Sequence, residues 1–151
     1  MVIYWDASAI LSILVEDEHS AKAVRIEKRK GIHLASSLCF AETYAVLQRM
    51  NHENVLTDVL YVSVLESLGN SVIRKINVQP DWKIFKELSV RYVLKGADLW
   101  HLAAVKTIQT ELPEITILSF DKQLSSAAGK ERISFPEKQK QSGSQMRGKY
   151  K

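Results

Sequence analysis

Four short apolar runs, separated by stretches with helical spacing, constrain the fold of this chain more than any other feature. Val2-Ile3-Tyr4-Trp5, Ile32 to Ala35, a run within Ser71 to Val78, and Ile115-Thr116-Ile117-Leu118 are short and rich in β-branched and aromatic residues. Such runs read as buried strands. The intervening segments read as helices. One starts at Ala7 with Ile10, Leu11 and Leu14 in register, and others span Ser20 to Lys30, Leu38 to about Met50 and Asn54 to Leu68. Three more run from Pro80-Asp81 to about Leu94, from Ala97 to Gln109 and from Lys122 to Ala128. Gly31 is expected in the left-handed region as a helix stop, and Ser36 or Ser37 as a helix cap. A strand apolar on both faces must be covered on both faces, so the pattern predicts an α/β fold. The expected architecture is a three-layer α/β/α sandwich around a central parallel sheet of four to five strands. Ile133-Ser134-Phe135 is the candidate fifth strand.

A chain of 151 residues suits one domain with a core of its own. The expected division is a folded unit over 1–136 and a basic, disordered tail over 137–151. Of the 21 basic and 17 acidic residues, five basic and one acidic fall in that tail, so the body carries 16 of each. The basic pI is therefore no sign of a nucleic-acid surface on the body. A single cysteine, Cys39, excludes an intramolecular disulfide and a cysteine-rich zinc site, and reads as a small apolar residue. Neither a membrane span nor a basic-headed signal peptide is expected, which places the protein in the cytoplasm.

Four acids stand out by position. Asp6 follows the first strand, Glu42 lies on the helix after the second, Asp98 falls in the first turn of a helix after Gly96, and Asp121 lies just beyond the fourth strand. In an open parallel sheet, functional groups gather at the carboxyl ends of the strands, near the switch in strand order. Three of the acids have a plainer role available, since Asp6, Asp98 and Asp121 can each serve a helix N-terminus, whereas Glu42 lies among apolar helical neighbours and is harder to dismiss. Those roles do not account for all of them facing one rim. Crowded carboxylates repel, and a hard cation such as Mg²⁺ or Mn²⁺ relieves the repulsion while suiting phosphate substrates.

The segments IYWDASAIL (3–11), SSLCFAETYAVLQR (36–49), KGADLWHLAAV (95–105) and ILSFDKQLSSAA (117–128) resemble the PIN domain family, especially the VapC-like toxins of toxin–antitoxin modules. The resemblance implies a sheet in the order 3-2-1-4-5, which sets Asp6 and Asp121 beside the switch-point crevice. It implies that Asp6, Glu42, Asp98 and Asp121 bind Mg²⁺ or Mn²⁺ and are catalytic in an endoribonuclease using a metal-activated water. Ser8 and Ser119 match supporting hydroxyls. A cognate antitoxin and a homodimer are the implied partners, beside the RNA substrate.

Other residues admit two readings. Lys22, Arg25, Lys28, Arg29 and Lys30 form either the solvated face of a helix or a contact for RNA phosphates. His101, three residues after Asp98, is a proton shuttle or, with more weight, a residue that packs or hydrogen-bonds to a neighbouring element; His19, His33 and His52 form no ligand set. Trp5 and Trp100 are expected in or beside the core, with base stacking as the other use of an exposed ring. Val55, Val59, Val62 and Leu65 make an apolar helix face that is either core or a dimer surface. Two competing functions share the fold: an RNA-processing nuclease without a toxin role, and an inert binding module. No G-x-G-x-x-G or Walker A sequence supports a nucleotide-binding domain.

Overall fold

The computed structural model describes residues 1–137. The strands are β1 (Val2–Trp5), β2 (Ile32–Ser36), β3 (Arg74–Ile76) and β4 (Ile115–Leu118). The helices are α1 (Ala7–Leu14), α2 (Ser20–Glu27), α3 (Ser37–His52), α4 (Asp58–Gly69), α5 (Trp82–Arg91), α6 (Gly96–Gln109) and α7 (Lys122–Lys130). All pairings are parallel and the sheet order is β3-β2-β1-β4, with helices over both faces. The α/β sandwich expected from the strand pattern is the fold of the chain.

Strand β1 lies at the centre because all of its side chains are apolar bodies that tolerate burial on either face; Ile3, Tyr4 and Trp5 are fully buried. Val2 pairs with Ile32 on one side and Ile115 on the other, so three distant apolar runs meet in one layer. Ile10, Ile26, Leu88, Leu102 and Leu124 close over that layer from α1, α2, α5, α6 and α7. Strand β3 is the exposed edge. It is short and carries Arg74 and Lys75, features that discourage pairing with another chain.

Several boundaries differ from the expected ones for local reasons. Helix α2 stops at Glu27 instead of Lys30, and Gly31 is not a left-handed cap: its φ is 155°. A Cβ at Gly31 would lie 2.7 Å from the Met1 carbonyl oxygen, so the glycine allows the two backbones to approach where β2 begins. Helix α4 starts at Asp58, not Asn54, because Asn54 turns the chain at φ 57° and Thr57 caps the helix through the Leu60 amide. Helix α5 starts behind Asp81, whose carboxylate accepts from the Lys83 and Ile84 amides at 2.7 and 3.4 Å. The candidate fifth strand reduces to one parallel bridge, Ile117 to Ser134, on the free edge of β4. Pro136 has no N–H with which to extend it. The bridge keeps the expected place in the order. The tail expected over 137–151 lies, from Lys138 on, outside the described residues.

Candidate active site

Strand order reverses at β1, because β2 and β3 lie on one side of it and β4 on the other. The chain leaves the carboxyl ends of β1 and β4 side by side, with the Asp6 amide bonded to the Leu118 carbonyl at 3.0 Å. This junction places Asp6 against the loop 119–121. Asp6 occupies the N-cap position of α1 yet makes no side-chain cap there. Its Oδ2 instead accepts from Ser8 Oγ and Ser119 Oγ, each at 2.8 Å. The same hydroxyls accept backbone amides in turn: Ser8 from Phe120 at 3.0 Å, Ser119 from Asp121 at 3.1 Å. Two hydroxyls, from α1 and from the loop after β4, thus fix one buried carboxylate and leave its Oδ1 uncommitted to them.

That Oδ1 lies 4.0 Å from His101 Nε2, and the same nitrogen is 2.6 Å from Glu42 Oε2. His101 is fully buried on α6. Its Nδ1 is 2.7 Å from the Tyr4 hydroxyl, which donates onward to Ser36 Oγ at 2.8 Å. Nδ1 and the phenol share one hydrogen bond, and Nε2 faces the Glu42 carboxylate. Burial pulls the ring toward neutrality, while Cys39, Glu42 and Asp6 push its pKa upward. Tyr4 is likewise pushed far above its ordinary range, chiefly by burial. It stays protonated. Cys39 donates to the Trp5 carbonyl at 3.1 Å, and its Sγ is 3.6 Å from His101 Nδ1.

Asp98 projects from the first turn of α6, where no side chain caps the helix. Burial, then the charges of Asp121 and Asp6, push its carboxyl up to about 6, with His101 pulling the other way and Glu42 adding to the rise. All four acids therefore share one electrostatic neighbourhood. Asp121 keeps its helix-capping task as well, since Oδ1 accepts from the Leu124 amide at 2.8 Å. Glu42 is half-buried with its Ala41 and Ala45 neighbours exposed, so it stands at the edge of a buried stripe.

One donor atom each from Asp6, Cys39, Glu42 and His101 lies within 4.8 Å of the others, a set able to hold a cation. Reasoning from sequence brought in Asp6 and Glu42, gave His101 the packing and hydrogen-bonding role it has toward β1 and α3, and passed over Cys39. The signal for His101 was its three-residue offset from Asp98 on one helix, which places both toward one side. The basic cluster divides. Lys22 meets Phe120 and Glu137, and Arg29 lies over Phe135, whereas Arg25, Lys28 and Lys30 stay exposed. His33, on β2, is buried, accepting from Trp5 Nε1 at 3.0 Å and facing the Arg29 carbonyl through Nε2 at 2.9 Å.

The PIN domain model matches residues 3–130. The chain belongs to the PIN domain family. Among solved structures, this PIN domain is similar to Mycobacterium tuberculosis VapC20, a toxin that cleaves the sarcin-ricin loop. Identity is 15%, covering 83% of this chain and 94% of that one, with a TM-score of 0.56. PAE2754 from Pyrobaculum aerophilum is similar at 12% identity, covering 89% and 88% of the two chains, also with a TM-score of 0.56. At such identities the likeness is one of fold. A search of curated proteins finds no significant match.

Proposed function

We propose that this PIN domain is a divalent-metal-dependent endoribonuclease and the toxin of a toxin–antitoxin module. The observation that carries the reading is the Asp6 carboxylate, fixed from two elements at the sheet's switch point and facing Glu42 and His101. PIN domains are typically nucleases, and VapC20 with the same fold is an RNA-cleaving toxin. Cys39 and both His101 nitrogens are engaged by Trp5, Tyr4 and Glu42, so the carboxylate oxygens are the donors this reading assigns to the ion, and they suit Mg²⁺ or Mn²⁺. Asp6, Glu42, Asp98 and Asp121 are the residues that would hold the ion. When bound, the ion supplies a Lewis acid for the phosphodiester and for the attacking water.

The chain's own groups prepare that site. Ser8 and Ser119 direct Oδ2 of Asp6 inward and hold Oδ1 free for coordination. His101 holds Glu42 by a charge-assisted bond, so that side chain waits in one orientation. Asp98 accepts or releases a proton as the charge on the rim changes. The RNA strand is the substrate, Lys22, Arg25, Lys28 and Arg29 are candidate phosphate contacts, and the antitoxin and a second copy of the chain are the protein partners. No helix among the described residues is long and apolar enough to cross a membrane, which accords with action on cytoplasmic RNA.

The test is RNA cleavage in Mg²⁺ or Mn²⁺ by wild type, Asp6→Asn and Asp98→Asn. We expect cleavage by the wild type, none with the metal chelated, and loss of at least about 100-fold in each variant, the scale of a disrupted metal site. Undiminished cleavage by both folded variants would leave the four acids without a catalytic role.

A further inference from the structure

The acidic centre is where a phosphodiester would be cut, but carboxylates repel a polyanion and cannot by themselves hold a strand in register. Something beside them must bind the nucleotides. On the same rim of the sheet, where β2 and β3 end, the chain forms an open groove of about 690 Å³ lined by Ser37, Asn77, Gln79, Pro80, Trp82 and Trp100. The groove joins the acidic centre through the residues that build it. Ser37 opens α3, which carries Cys39 and Glu42, and Trp100 stands beside His101 with its ring edge-on at 5.5 Å. The ends of β1 and β3 are two interstrand spacings apart, about 10 Å, so one short strand can reach both.

The lining has the composition of a base-reading surface. Two indoles supply flat apolar faces, and Trp82 is 59% exposed, an unusual cost for so large a ring in water. Ser37, Asn77 and Gln79 supply side-chain donors and acceptors at exposed positions. None of the lining residues is acidic, in contrast to the neighbouring centre. Arg74 and Lys75, exposed on opposite faces of the strand leading to the groove, and Lys83 beside Trp82 are cations near it, with Asp81 the one acid next to Trp82. They offset the repulsion that the acids impose on phosphates.

We propose that this groove is a nucleobase subsite: Trp82 and Trp100 stack a base of the single-stranded substrate near the scissile phosphate, and Asn77, Gln79 and Ser37 contact its edge. Trp82 and Trp100 are then substrate-positioning residues. The inference rests on the nuclease reading for its substrate, yet it concerns binding and is measurable without cleavage.

The experiment uses the full chain with metal chelated, so that no strand is cut. Tryptophan emission is titrated with an adenosine 12-mer, a uridine 12-mer and a 12-mer of abasic ribose phosphate. Trp5 is buried, so Trp82 and Trp100 are the indoles open to quenching. We expect quenching by the strands that carry bases. Trp82→Ala should raise the dissociation constant for them by roughly 5- to 100-fold, the scale of one lost stacking partner, and leave the abasic strand unaffected. Trp82→Phe should retain most of the affinity. Because Trp82 is exposed, circular dichroism should show both variants folded.

Equal weakening on all three strands, or no weakening, overturns the subsite. So does a Trp82→Ala protein that binds bases normally but no longer binds a protein partner, an outcome that assigns the groove to that partner. The nuclease reading is judged separately, by wild-type cleavage in metal and its loss in Asp6→Asn.

Discussion

At the scale of single residues, Asp6, Glu42 and Asp121 are each placed by a neighbour at hydrogen-bond distance. Ser8 and Ser119 both donate to one oxygen of Asp6. Replacing either with alanine removes an orienting bond while leaving the carboxylate, so Mn²⁺ affinity measured by calorimetry should fall by about 10- to 100-fold, the range for an outer-shell partner. Unchanged affinity in both variants would show that Asp6 is oriented by the backbone alone. His101→Phe strips Glu42 and Tyr4 of their shared partner in the buried cluster. Glu42 keeps some contact with water, so the cost should lie at the lower end for a broken buried pair, about 3 kcal/mol, and lower the melting temperature by roughly 6–12 °C. Asp98, pushed up to about 6, sets a pH dependence. Its proton is held more tightly in the folded chain than in the unfolded one, where a carboxyl titrates near about 4. This contribution to stability is complete below about pH 4 and is lost as pH rises through about 6. Urea melts of metal-free protein should show that loss, Asp98→Asn should flatten it, and Mg²⁺ affinity should rise over the same interval as the competing proton departs. That Asp6, Glu42, Asp98 and Asp121 share one neighbourhood followed from strand-end positions. The partners of Cys39 and His101 did not, because both depend on Tyr4 and Trp5 lying beside α3 and α6, contacts between residues up to 97 positions apart.

At the scale of elements, strands buried on both faces were the most readable because such burial leaves a continuous apolar run. β4 spans Ile115–Leu118, the run the sequence marks out, and β1 spans Val2–Trp5. Edge and terminal elements were less readable, since their ends depend on backbone meetings that no local pattern announces. Gly31 is the clearest case. It looked like a helix stop, but its conformation serves the approach of Met1, whose carbonyl accepts the Ile32 amide at 3.0 Å where β1 and β2 begin pairing. Gly31→Ala would bring a Cβ to 2.7 Å from that carbonyl oxygen. The substitution should cost about 1–3 kcal/mol, the range for a residue forced into a sparsely allowed conformation, and lower the denaturant midpoint without altering metal affinity. A neutral result would mean that the start of β1 shifts freely to admit the methyl group.

At the scale of the whole molecule, the sequence left one face with two meanings. Val55, Val59, Val62 and Leu65 had the spacing of a helix side that either joins the core or meets another chain. Within this chain the core is closed by other residues, and Val55, Val59 and Val62 are exposed, with Val59 80% so. Val55 precedes α4, so Val59, Leu60 and Val62 on α4 and Tyr44 on the neighbouring α3 are the exposed apolar side chains there. Apolar exposure gathered on two neighbouring helices is expected to be covered in use. Self-association through a two-fold axis would place α4 against its own copy, so one substitution acts twice. Val59→Lys keeps a good helix former at the position while setting two like charges at the proposed interface. Sedimentation should find the wild type dimeric and Val59→Lys monomeric, with unchanged helicity. A variant that remains dimeric would move the interface elsewhere on the molecule. Because Asp6, Glu42, Asp98 and Asp121 all come from one chain and gather at the sheet's carboxyl rim, the monomer should still cut RNA. If monomerisation abolishes cleavage while metal binding survives, the second copy supplies part of the surface that holds the strand.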